Sequence, residues 1–475
     1  MANLHDLPDE LLLQILRHTS MHGTQQDLHN LSLVSRTIYS VASEALYYSP
    51  ETNICDNENT QSPVVALTAT LLKRHDLSSM VKSLALDMQC SATRGHLPSC
   101  SLRSSARRHR SQHCTCTCPF SNFKMAPFQH LKSLGIASCD NPWVLRAEEQ
   151  PLVAFAGLMI ALTPNLEMLK LKTCHCTNAC AQFSSFYGPG PKEQVVRLWP
   201  GLQNLKTLDV EAQHYSYAYL TIPALSSLRL RRIASELDLF QPSAPSTVQE
   251  LELEFCLPVW RTLERLSRST ETNMCIFFGN FKKCKVLRVW VVSGATLQYS
   301  RENPGQLLAN AGIYVSMFSA RYSRFIDALG PLHNCLEMLV IDVPSNHADY
   351  LSSMGHFRGT MKPFEQLKHV VVPKQIFDES RGLPDQFPSC VQTVELLAHN
   401  TVDLPTLTAI FQEPEMHVAA LGMLERFALH TYVEQRGDEF NGECGYMVTS
   451  LGRRGVERRL YDESRFPEWS SRRTF

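Results

Sequence analysis

Apolar and polar positions alternate along this chain in two distinct rhythms. Over residues 7–48 the rhythm is helical. Leu11, Leu12, Ile15 and Leu16 make one apolar stripe, widened by Leu13. Pro8 suits the first helical position, where its missing N–H costs nothing. Asp9 and Glu10 follow in the first turn, where the helix dipole favours negative charge. After a polar connection over residues 17–26, Leu28, Leu31, Ser35 and Ile38 line a second helical face. Ile38, Val41, Ala42, Ala45 and Leu46 line a third. Three short helices in about 40 residues are too small to bury this much leucine alone, so part of the surface calls for a partner.

From Val81 the rhythm becomes apolar, two residues, apolar, one residue, apolar. It occurs as VKSLAL (81–86), LKSLGI (131–136), LEMLKL (166–171), LKTLDV (205–210), LSSLRL (225–230) and VQELEL (248–253). It continues as CKVLRV (284–289), LEMLVI (336–341), LKHVVV (367–372), VQTVEL (391–396) and LERFAL (424–429). Alternation at the end of each segment predicts a short strand whose apolar residues point to a core and whose intervening residues point outward. No such segment can bury its own face, so neighbours must stack. The spacing runs from 20 to 52 residues. Residues 205–225 leave little room for a return helix, whereas long intervals carry insertions. Residues 60–77 read as a joining helix, and 151–162 and 405–411 as helices on the far side of the sheet. Residues 294–329 read as a longer excursion with a helix from Ile313, and the Arg-rich tail as flexible after about residue 462.

The first rhythm resembles a known family. Leu-Pro-x-Glu-Leu-Leu-x-x-Ile-Leu, then Asp-Leu-x-x-Leu-x-x-Val-Ser-Arg, then a small-residue helix ending in Leu-Tyr, is similar to an F-box. Matching positions are Leu7, Pro8, Leu11, Leu12, Ile15, Leu16, Asp27, Leu28, Leu31, Val34 and Ser35. The resemblance implies that these residues, Asp27 aside, dock on the Skp adaptor and through it reach a cullin-RING ubiquitin ligase. Thr19-Ser20 stands where that family usually has Leu-Pro, and Ile38 lies nearest the place of a frequent tryptophan. The plainer reading is a helical cap on a larger domain. The second rhythm resembles the leucine-rich repeat, whose frame ends in Asn or Cys. Cys139, Cys174 and Cys256 follow three residues after the last apolar position of their segments. Together these imply an α/β chain similar to F-box/leucine-rich-repeat proteins of the fungal-like kind. The expected order is a three-helix F-box over 1–50, a linker helix over 51–80, an irregular solenoid with a curved parallel sheet over 81–435, and a tail over 436–475.

Composition narrows the chemistry. A formal charge of −1 over 475 residues provides no global field for nucleic acid. The chain opens with acids and no basic-then-apolar signal, so secretion is not expected. The longest apolar run, 152–162, is well short of the roughly 20 residues a membrane helix needs. The expected location is cytoplasmic, nuclear or both, with no nucleic-acid partner and no membrane. The 16 cysteines are then thiols or metal ligands rather than disulfides. Residues 89–139 contain no acid but carry Arg94, Arg103, Arg107, Arg108 and Arg110 among serines, which reads as a basic, low-complexity insertion over about 90–125. Within it lie His113, Cys114, Cys116 and Cys118, and after the third repeat Cys174, His175, Cys176 and Cys180. Such ligands suit zinc, but C-x-C lacks the usual spacing, so loop thiols are expected and no metal or other cofactor. No nucleophile motif or phosphate loop is present, and the expectation is no catalytic residue and no enzyme.

The outward strand positions carry the remaining signal. Lys170 and Lys172, Asp209 and Glu211, Arg229 and Arg231, and Glu250, Glu252 and Glu254 alternate in sign from repeat to repeat. Strands about 4.8 Å apart can pair such charges, which argues against a single-sign pocket. His369 and His430 fall on outward positions and read as ordinary surface residues. Further on, the same positions turn apolar. Trp290, Met338, Val340 and Val371, edged by Arg288 and His369, read as an exposed stripe that binds a protein substrate, or as a surface covered by 294–329 or the tail. The function this implies is the substrate-recognition subunit of an SCF-type ubiquitin ligase. The alternative is a scaffold in a Skp-containing complex that ubiquitinates nothing.

Overall fold

A computed structural model describes residues 7–22, 25–55, 63–89, 151–173, 187, 192–211, 215–233, 245–256, 268–292, 325–342, 360–373, 383–398, 421–433, 445–452 and 455–462. The chain forms two compact units, Met1–Ser226 and Ser227–Phe475.

The first unit begins with helices α1 (Asp9–His22), α2 (Gln25–Ser32) and α3 (Arg36–Tyr48). Their apolar stripes meet in one core of Leu12, Leu16, Leu28, Ile38, Val41, Ala42 and Ala45, with Leu7, Leu13, Leu31 and Leu46 packed against it. Pro8 stands one residue before α1 rather than at its first position, its carbonyl accepting from the N–H groups of Leu11 and Leu12. Ser35 caps α3, its hydroxyl accepting from the Ile38 N–H at 3.2 Å. Such a cap contributes about 1 kcal/mol.

Residues 51–80 are not the expected single helix. They form strand β1 (Glu51–Cys55) and helices α4 (Pro63–Lys73) and α5 (His75–Met80), separated at Arg74. The α3 end is tied to the sheet, since Tyr48 O accepts from Lys82 N at 2.9 Å and Pro50 O from Ala85 N at 3.2 Å. β1 pairs in parallel with β2 (Ser83–Gln89), β2 with β3 (Met168–Thr173), and β3 with β4 (Thr207–Glu211). The inward leucines fall in register, Leu84 against Leu169 against Leu208, all fully buried. Helix α6 (Pro151–Leu162) occupies the bounds its pattern predicts and packs against α4 and the turn Pro200–Gln203. The segment 131–136 lies outside the described residues. β2 and β3 pair directly in parallel.

The second unit stacks seven parallel strands in sequence order. They are β5 (Ser227–Ile233), β6 (Glu250–Cys256), β7 (Val286–Val292), β8 (Met338–Asp342), β9 (His369–Pro373), β10 (Thr393–Ala398) and β11 (Arg426–Val433). Leu251, Leu287, Leu339, Val370, Val394 and Phe427 share one inward row and are fully buried. Helix α7 of this unit (Arg268–Gly279) adds Phe277 and Phe278 to the core. Where a tail was expected, β12 (Gly445–Gly452) and β13 (Gly455–Asp462) add to β11 as antiparallel strands. Among the described residues no helix is long and apolar enough to cross a membrane.

The repeat frame works through one hydrogen-bond step. Two successive N–H groups entering each of β3, β4 and β7 to β11 donate to one carbonyl of the preceding repeat. Lys285 and Val286 donate to Gln249 O, Glu337 and Met338 to Lys285 O, and Lys368 and His369 to Glu337 O. Side chains one residue before the first apolar position add a second step. Asn165 Nδ2 donates to Ser79 O at 2.8 Å and Asn204 Nδ2 to Pro164 O at 2.9 Å, while Cys390 Sγ contacts Leu367 O at 3.4 Å. The Asn/Cys signal therefore precedes the strand here. Of the cysteines expected to fill that place after the strand, Cys256 ends β6, and Cys139 and Cys174 lie outside the described residues.

Candidate interaction surfaces

The ten candidate adaptor-binding residues separate into an inner and an outer set. Leu12, Leu16 and Leu28 are buried in the helical core, and Leu7 and Leu31 pack against it. Ser35 is committed to its cap. Pro8, Leu11, Ile15 and Val34 are exposed. Leu11 and Ile15 lie one turn apart on α1, so they are neighbours on its outer side. Two further exposed apolar residues escaped the sequence reading. Leu33, 71% exposed, sits with Val34 in the turn between α2 and α3, and Tyr39 stands on the first turns of α3. Two adjacent branched apolar residues in a tight turn were the available signal, because turns are ordinarily polar.

The outward sheet positions are largely self-neutralised. Lys170 faces Asp209 in register. Arg229 Nη2 lies 2.7 Å from Glu252 Oε1 with both side chains largely buried, and Arg288 Nη1 lies 3.8 Å from Glu250 Oε2. At the strand entrances each unit carries a ladder in which one glutamate bridges two lysines. These are Lys82–Glu167–Lys206 (3.1 and 2.7 Å) and Lys285–Glu337–Lys368 (2.9 and 3.3 Å). Hydrogen bonds from the lysines hold both glutamate carboxyls below their ordinary range. Being exposed, these ladders add little stability.

The candidate substrate residues do not form the expected exposed stripe. Val340 and Val371 are 0% and 3% exposed, packed with Leu397 and with the partly buried Met338. His369 is exposed, while Arg288 and Trp290 are half-buried. The Trp290 indole N–H is buried and has no hydrogen-bond partner among the described residues. Glu254 and Asp342 are its register neighbours on β6 and β8.

His430, read as a surface residue, is also buried, with Nε2 2.8 Å from Glu395 Oε2. Arg426 Nη1 lies 3.7 Å from Oε1 of the same glutamate. Burial works against ionisation of Glu395, but the hydrogen bond to His430 and the charges of His430, Arg426 and His369 outweigh it, so its carboxyl sits below the ordinary range. Glu395→Gln is expected to cost about 2 kcal/mol in equilibrium unfolding at neutral pH. Because the folded value is depressed, this contribution is present above the unfolded value of 4.5 and fades as pH falls through the folded one. A wild-type-minus-variant difference that grew in acid would contradict this assignment. The two cysteine-rich clusters lie outside the described residues.

The chain is thus an α/β protein in which a three-helix module with an exposed apolar side leads into parallel strand repeats. A family model described as F-box-like matches residues 4–52, so that module is an F-box-like domain. Domains of this type bind Skp-type adaptors in general. No curated protein matches the chain.

Proposed function

We propose that this chain is the substrate-recognition subunit of an SCF-type ubiquitin ligase, acting in the cytoplasm, the nucleus or both. The observation that carries the reading is the exposed Leu11, Ile15, Leu33 and Val34 on the F-box-like domain, an apolar surface that a Skp adaptor would cover. The region 81–435 acts as a leucine-rich-repeat solenoid that holds a protein substrate. The residues 51–80 join it to the F-box, and 436–475 follow it as the C-terminal tail. The chain supplies no catalytic group. It raises the local concentration of substrate near ubiquitin carried by its cullin-RING partners. Affinity purification after proteasome inhibition tests this directly. Adaptor, cullin and a stabilised client are expected together, and recovery of adaptor without cullin would favour a scaffold that ubiquitinates nothing.

Substrate capture falls to the reachable outward residues. Trp290, Arg288, Met338 and His369 make the contact, with Val340 and Val371 as the packed floor beneath Met338. Trp290→Ala is expected to weaken client capture about 30-fold, the cost of losing a 2 kcal/mol anchor, while adaptor binding is unchanged. Reversing Lys170, which already faces Asp209, is expected to do much less. Full client capture by a stably folded Trp290→Ala protein would move the binding site elsewhere.

A further inference from the structure

We draw no further inference here: the strongest candidate, the apolar cluster of Val340, Val371 and Leu397 on the outward face of β8 to β10, is already buried, and nothing in the structure shows what covers it.

Discussion

Ile15→Asp and Val34→Asp are each expected to abolish capture of a Skp-type adaptor while leaving the chain folded. Both side chains are exposed, so an aspartate at either position stays hydrated in the free protein and costs the fold little. On docking, the same carboxylate would be pressed against an apolar partner without a compensating hydrogen bond, a penalty of several kcal/mol. Even the loss of the apolar contact alone, about 2 kcal/mol, weakens binding about 30-fold. Leu12→Asp is the informative contrast. Leu12 belongs to the helical core with Leu16, Leu28 and Ile38, so a charge there should melt α1 to α3 rather than disturb docking. Pull-down against the adaptor, paired with circular dichroism, separates the two outcomes. Undiminished adaptor capture by both surface variants would remove the F-box reading of function.

The second large effect is expected from one methyl group. A Cβ at position 201 would stand 2.0 Å from Ile160 O and 2.9 Å from Thr163 O, both backbone atoms at the end of α6. Side chains can rotate away from an intruder, but a helix end held by the Thr163 hydroxyl, which donates to Met159 O at 3.1 Å, cannot. Gly201→Ala must therefore push the turn Pro200–Gln203 off α6, loosening the packing of Trp199 on Tyr187. Overpacking costs about 1–3 kcal/mol, and this site belongs at the top of that range or above it. Urea unfolding followed by tryptophan fluorescence measures the loss. Gly279→Ala is the control, since nothing lies within 4 Å of its added Cβ. It should be neutral or stabilising by up to about 1 kcal/mol. Equal stabilities for the two variants would show that the α6 contact is not close.

The sequence made the local periods legible and left the covering of surfaces illegible. Leu-x-x-Leu-x-Leu specifies which residues point inward, and Leu84, Leu169 and Leu208 do so in register. The bounds of α6 were readable because Pro151 starts it and its apolar residues are continuous. β1 was missed because Glu51–Cys55 shows neither the repeat spacing nor an alternation of its own. The segment 131–136 also matches the pattern and lies outside the described residues, while β2 pairs directly with β3. The same limit applies to the interaction surfaces. Outward position was correct for Val340, Val371 and His430, but outward is not exposed, and burial depends on distant contacts that no local period encodes. On α1 the alternation separated Leu12 from Leu11 and Ile15 only once the partner helices were in place.

The joint between the helical module and the sheet bears on how a client would be presented. Tyr48, the last residue of α3, gives its carbonyl to Lys82, and Pro50 gives its own to Ala85, so one residue separates two anchor points. A tethered module would search a volume, and its reach would be a distribution set by linker length. This joint has no slack to distribute. In the proposed ligase, the adaptor-binding helices and strands β1 to β4 would turn together like a bracket, so the adaptor would carry the first unit as one rigid piece rather than on a tether.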